Sequence, residues 1–423
     1  MSPRRSPSEM VKEIYQAGGC SHPIRLRGEF VNTATGEVNQ RPLMVACKDR
    51  RAVICPSCSY LYKADAWILV SAGLIGGKGV PASVREHPLL FLTLTAPSFG
   101  AVHARRAVGS CHPRPQPPCP HGRSLHCQVR HDEKDLRVGS PLCDACFDYV
   151  GAILWNAEGS RLWNRTLEQI RRRLVAYLAT RIDDAPQGFR LSYLKVAEFQ
   201  RRGLVHFHVV LRLDGAGEAF SSSPSELTTE ILSMAIADVV REFSITTSHG
   251  EITWGRQFDL SDASALDRDD LRIAGYLAKY ATKSTDGTKD FARSFRARSN
   301  ITSIQGSSHL RQLALTAWDL ALEPEFETLN LRAHAHAFGH RGQLITKSRH
   351  YSTRFLDLRA ARASYMAKES TGDPMSGTFV FEGRGYDDPH TVEVAEFLHW
   401  LSLEAKKSAP AVTSQREGTD EFP

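Results

Sequence analysis

LVHFHVVLRL, residues 204–213, carries two histidines inside a mostly apolar run. β-branched and apolar residues dominate it, so it predicts a strand, in which alternate side chains turn to opposite faces. His206 and His208 then share one face, while Phe207, Val209, Leu211 and Leu213 point into a core. Two neutral imidazoles facing one way, with no thiolate beside them, suit a divalent cation that keeps open positions for a substrate oxygen. An ordinary half-buried histidine pair would carry the same letters, so the reading leans on its surroundings.

Those surroundings supply more chemistry. Leu191 to Phe199, the turn Gln200-Arg201-Arg202-Gly203 and the histidine strand read as a hairpin, with Glu198 close to the turn. A carboxylate added to two imidazoles is a hard oxygen ligand and shifts preference toward Mg²⁺ or Mn²⁺. Further on, IAGYLAKYATKS (273–284) places Tyr276 and Tyr280 four apart and repeats the interval with Lys279 and Lys283. On a helix, residues four apart are neighbours on one side, so the phenols stack and the ammonium groups follow on an adjacent side. Upstream, LLFLTLT (89–95) reads as a buried strand stopped by Pro97.

A metal site followed by paired tyrosines is what strand transfer on DNA requires, because a phenolate can attack phosphorus and leave as a phosphotyrosine ester close in energy to the diester broken. The residues resemble those of the HUH endonucleases: HFHVVL fits their metal-binding pair, and YLAKYATKS is similar to the two-tyrosine motif of small single-stranded DNA phage initiators. Overall the chain most resembles actinobacterial plasmid rolling-circle replication initiators, through FLTLTAPS, the Cys-rich segments, LWN and FGHRGQLITKSRHYS, from Cys20 to about Ala363. The resemblance implies a nicking-joining enzyme in which His206, His208 and Glu198 hold the catalytic cation. It implies Tyr280 as nucleophile, Tyr276 as acceptor of the second strand, and Lys279 and Lys283 stabilising charge on the phosphate. It also implies single-stranded or hairpin origin DNA as substrate, with host helicase and DNA polymerase using the 3′-OH. A two-tyrosine transposase and a zinc-containing origin-binding repressor that does not nick are the alternatives.

Composition is that of a globular protein: 423 residues, 42% hydrophobic, 24% charged, net charge +6. Such a length predicts roughly two to three domains. The modest basic excess permits a polyanionic partner without demanding one. With no apolar run of the roughly 18 residues a span needs and no hydrophobic signal core, a cytoplasmic protein without membrane contact is expected. GLIGGKG (73–79) fails as a phosphate loop, because Ala72 stands where its first glycine belongs and Gly79 follows Lys78.

Nine cysteines without an export signal favour metal ligation over disulfides. Cys20, Cys47, Cys55 and Cys58 predict a structural Zn²⁺ site, with His22 able to replace either of the first two. A second site is expected in the Pro-, His- and Cys-rich segment from about 99 to 148, too poor in apolar residues to fold without metal. Cys143 and Cys146 are its firmest ligands and Cys119 and Cys127 their partners, with Cys111, His121 and His131 as alternatives.

The expected fold is therefore α+β: an antiparallel, palm-like HUH sheet covered on one face by helices, with zinc-binding modules and a helical C-terminal region. Its expected divisions are a disordered N-terminus (1–18), a zinc-ribbon-like module (19–62), the HUH domain (63–290), a basic, mainly helical DNA-binding region (291–407) and a disordered tail (408–423). Helices are expected over 63–76, 149–178, 226–243, 271–282, 310–321, 329–337, 354–368 and 392–407, an edge strand over 252–260 and an acidic turn over 259–270. GHRGQLITKSRHYST (339–353) is expected to offer a surface for DNA backbone contact and base stacking.

Overall fold

The computed structural model describes residues 6–33, 35–180, 188–263, 271–283, 285, 288–369 and 375–408. In chain order its helices and strands are α1 (Pro7–Gln16), β1 (Ile24–Asn32), β2 (Val38–Val45), α2 (Pro56–Ile75), β3 (Leu89–Thr95), α3 (Tyr149–Ala179), β4 (Phe189–Phe199) and β5 (Val205–Gly215). There follow α4 (Thr229–Glu242), β6 (Ser244–Thr247), β7 (Gly250–Thr253), β8 (Phe258–Asp262), α5 (Leu271–Ala281), α6 (Arg298–Thr302), α7 (Ser308–Leu320), β9 (Ile345–Lys347), α8 (Phe355–Glu369), β10 (Met375–Arg384) and α9 (Pro389–Ser408). The chain divides into two compact units, 1–62 with 370–423, and 63–369.

In the first unit a three-stranded antiparallel sheet runs in the order β10-β1-β2. The stretch 291–407, read as one basic helical region, is thus divided: β10 and α9 fold with the N-terminal segment. Nor is the N-terminus disordered throughout. Ser6 and Glu9 form a capping box, the Ser6 hydroxyl accepting from the Glu9 N–H and the Glu9 carboxylate from the Ser6 N–H, which satisfies two donors at the start of α1.

The second unit is built on a five-stranded antiparallel sheet in the order β8-β3-β5-β4-β9. Strand β5, with its two histidines, is the central one, which is why its apolar content is so high. On one face Leu92, Leu94, Phe207, Val209, Leu211 and Leu213 pack with Trp155, Trp163 and Ile170 of α3 and Leu232 and Ile236 of α4. On the other, Leu194, Val196 and Val210 pack with Leu69, Val70 and Leu74 of α2, Ala274 and Leu277 of α5, and Tyr351. The tyrosine helix α5 thus faces the histidine side of the sheet, and α2 joins it there.

At one end of that second face a buried network fixes the sheet. Arg212 and Asp214, both 0% exposed, pair at 2.7 Å, with Asp214 also meeting His87 and Ser192 and Arg212 donating to the Gly73 and Tyr351 carbonyls. Parts of the 339–353 segment are spent on this scaffold, while Arg341, Gln343 and Arg349 stay exposed. β9 pairs with β4, Tyr351 is 0% exposed, and the His340 Nδ1 faces the Asn156 carbonyl at 3.2 Å. Tyr351 is therefore a packing residue and not part of the expected DNA surface, and His340 takes a structural role. Other differences are smaller: the 329–337 stretch holds short 3-10 turns, β8 occupies the start of the expected acidic turn, and 264–270 and 409–423 lie outside the described residues.

Candidate active site and zinc groups

Register alone brings the predicted residues together. Glu198 lies directly opposite His206 across the β4–β5 ladder, and Thr93 lies opposite His208 across the β3–β5 ladder. Opposite residues project to the same face, so two imidazoles, a carboxylate and a threonine hydroxyl share the face that α5 covers. The rings of His206 and His208 are 4.6 Å apart. His208 is 2% exposed, its Nδ1 3.3 Å from Thr93 Oγ1 and its Nε2 3.2 Å from Glu198 Oε2. His206 Nδ1 lies 3.2 Å from Gln200 Nε2, an interaction that orients the ring.

Helix α5 adds the tyrosines. Tyr276 OH is 3.5 Å from His208 Nε2, and the Tyr280 ring stacks on His208 with centroids 5.4 Å apart. The two phenol rings meet edge to face at 4.5 Å. Just past the helix, Lys283 Nζ reaches both Glu198 Oε1, at 2.9 Å, and the face of Tyr280, 4.2 Å from its centroid. Lys279 is exposed on the same helix and joins none of these contacts. Ser284 lies outside the described residues.

Burial and neighbours set the protonation of this face. Burial, then the neighbouring His208, pushes the His206 pKa down to about 4, which keeps the ring neutral and able to ligate. Burial alone would raise Glu198, but hydrogen bonds from His208 and Lys283 outweigh it and hold the carboxyl below its ordinary value. Tyr276 is pushed well above the usual phenol range by burial and by its hydrogen bond with Tyr280. A neutral His206 beside an ionised Glu198, with the second imidazole of His208 between them, fits a hard divalent cation.

The hairpin turn between Glu198 and His206 is tied down on several sides. Arg202 donates to the Ala96 carbonyl (2.9 Å), the Pro97 carbonyl (3.0 Å) and Gln200 Oε1 (2.8 Å), while its own carbonyl faces His309 Nε2 at 3.1 Å. Arg201 donates to the backbone oxygens of Asp135 (3.0 Å) and Glu133 in the Cys-rich insertion. Gly203 closes the turn at φ +74°, with no room for a side chain because Leu313 packs against it.

Three Cys/His groups have all their ligand atoms within 4.8 Å of one another, and each could hold zinc. Cys20, Cys47, Cys55 and Cys58 form the first, as their spacing predicts, with Cys20 and Cys55 Sγ 3.7 Å apart. The insertion holds two groups rather than one. Cys119, Cys143 and Cys146 converge with His121, whereas Cys127 does not join them; it stands with His103, Cys111 and His131. His103 was not foreseen, since nothing in its local sequence marks it. Its partner His131 turns its other nitrogen to Asp135 at 2.6 Å, the carboxylate–histidine arrangement that orients zinc ligands. Among the described residues, His206, His208 and Glu198 do not converge as tightly as these groups.

Comparison with known proteins agrees with the sequence resemblance at the level of family. Residues 7–400 match the RepSA family model, described as a replication initiator protein of pSAM2. A replication initiator protein from Streptomyces ambofaciens is 33% identical over 428 residues, covering 95% of this chain and 90% of its own length. No solved structure matches. Among the described residues no helix is long and apolar enough to cross a membrane.

Proposed function

Because the chain belongs to the RepSA family of replication initiator proteins, we propose that it starts plasmid replication by nicking one strand of origin DNA through tyrosine transesterification on a palm-like HUH sheet. The observation that carries this reading is the convergence of His206, His208, Glu198, Tyr276, Tyr280 and Lys283 on one face of the five-stranded sheet.

His206, His208 and Glu198 are the residues that would hold a catalytic Mg²⁺ or Mn²⁺. When bound, that cation supplies charge neutralisation and polarisation of the scissile phosphate. Tyr280 is the nucleophile: its phenolic oxygen bonds to phosphorus, the bond to the 3′-oxygen breaks, and the phenol proton ends on the departing 3′-OH. Lys283, over the Tyr280 ring, favours the developing phenolate and the charged phosphate. Tyr276, held as a neutral phenol by its surroundings, waits for the second strand. The product is a 5′-phosphotyrosyl strand and a free 3′-OH, which host polymerase and helicase would use.

The test is incubation of the purified protein with Mn²⁺ and a supercoiled plasmid bearing DNA that flanks its own gene. Relaxation with a protease-sensitive 5′ adduct is expected. Origin binding without any adduct, across cations, would move the assignment to a non-nicking repressor.

A further inference from the structure

A groove of about 560 Å³ opens beside the reactive face, with Glu198 and Lys283 in its lining. Other parts of the second unit line it too: the hairpin turn through Phe199 and Arg201, the insertion through Glu133, Leu136 and Val138, the stretch after Lys283 through Asp290, and the start of α7 through Leu310 with Gln305 just before it. The insertion wall is not a loose loop. Arg201 binds the Glu133 and Asp135 carbonyls, and the Asp135 carboxylate meets His131 of the His103/Cys111/Cys127/His131 group. Leu136 nevertheless stands 83% exposed on that wall, and Gln305, from another element of the lining, is exposed as well.

Charge decides what such a groove takes. Lys283 and Arg201 are offset by Glu198, Glu133 and Asp290, so the lining has no cationic excess for a cluster of phosphates. Apolar side chains together with hydrogen-bonding groups instead match a neutral planar heterocycle, apolar on its faces and polar along its edge. We propose that this groove receives the base of the nucleotide next to the scissile phosphate, with the Cys/His insertion as one wall, so that the insertion takes part in choosing the sequence cut. The proposal rests on the nicking reading above and extends it to substrate selection.

The experiment uses the full-length protein with Mn²⁺ and fluorescent single-stranded oligonucleotides spanning the nick, each flanking base replaced in turn. Leu136→Trp and Gln305→Trp fill the groove from two sides without touching the proposed catalytic groups. Both are expected to keep forming the adduct while discrimination among bases falls roughly tenfold at one flanking position. An abasic nucleotide at that position should be cut equally by variants and wild type. Unchanged preference at every position in both variants would overturn the proposal while leaving the nicking reading intact. If wild type forms no adduct, the nicking reading falls, and base preference in binding is compared between Tyr280→Phe and Tyr280→Phe/Gln305→Trp. Identical preference there overturns the groove assignment, and a lost preference supports it.

Discussion

Phe207 and its two histidine neighbours sit on one strand, one residue apart, in opposite surroundings. Phe207 enters a core with Trp155, Trp254 and the buried His340, and the neighbouring strand adds Lys195, whose ammonium lies 4.1 Å from the Phe207 ring centroid. His206 and His208 face a carboxylate, two phenols and an ammonium under α5. The closed face is committed to packing, whereas the histidine face, the proposed reactive one, holds its polar groups on hydrogen bonds to one another. Two-residue periodicity makes this division possible on a single strand, and a slip of one residue would exchange the two roles.

The largest effect expected is on chemistry alone: His206→Ala should lower adduct formation by about 10³-fold, measured on denaturing gels, with little change in the denaturation midpoint. Its neighbour gives the mirror result, Phe207→Ala costing about 3–5 kcal/mol of stability in urea or guanidinium titration. A third prediction concerns pH on the closed face. Burial pushes the His340 pKa down to about 3 from an ordinary value near 6.5. Between these values the unfolded chain takes up a proton that the folded chain refuses, so stability is complete above about pH 6.5 and is lost as pH falls toward about 3. The loss is a few kcal/mol at most, and His340→Gln should flatten the slope seen in denaturation at successive pH values. The smallest effect belongs to the strap on the hairpin: Arg201→Ala should cost about 1 kcal/mol of stability. It should also slow cleavage several-fold, with zinc content by elemental analysis unchanged.

Much of this division is legible in the sequence. Alternation in LVHFHVVLRL assigns both faces, and LLFLTLT coincides with β3, Leu89–Thr95. Local spacing also marks the first Cys group and the tyrosine helix. Non-local pairing hides the rest. That β10 returns to β1 depends on a partner more than 300 residues away, and no local pattern encodes it. The insertion interleaves two ligand sets, so Cys127 could not be allotted by sequence distance, and His103 lies in an unremarkable run. Thr93 and Gln200 became visible as orienting partners of the histidines only with register and turn geometry in place. The Ser-Pro-Ser-Glu signal at residues 6–9 was present and marks the start of α1.

The most direct measurement of the central claim is mass spectrometry of the peptide that carries DNA after the nicking reaction with Mn²⁺. A 5′-phosphonucleotide is expected on the peptide containing Tyr280, absent in Tyr280→Phe. An adduct on a residue outside α5, or one unaffected by Tyr280→Phe and Tyr276→Phe together, would contradict that claim.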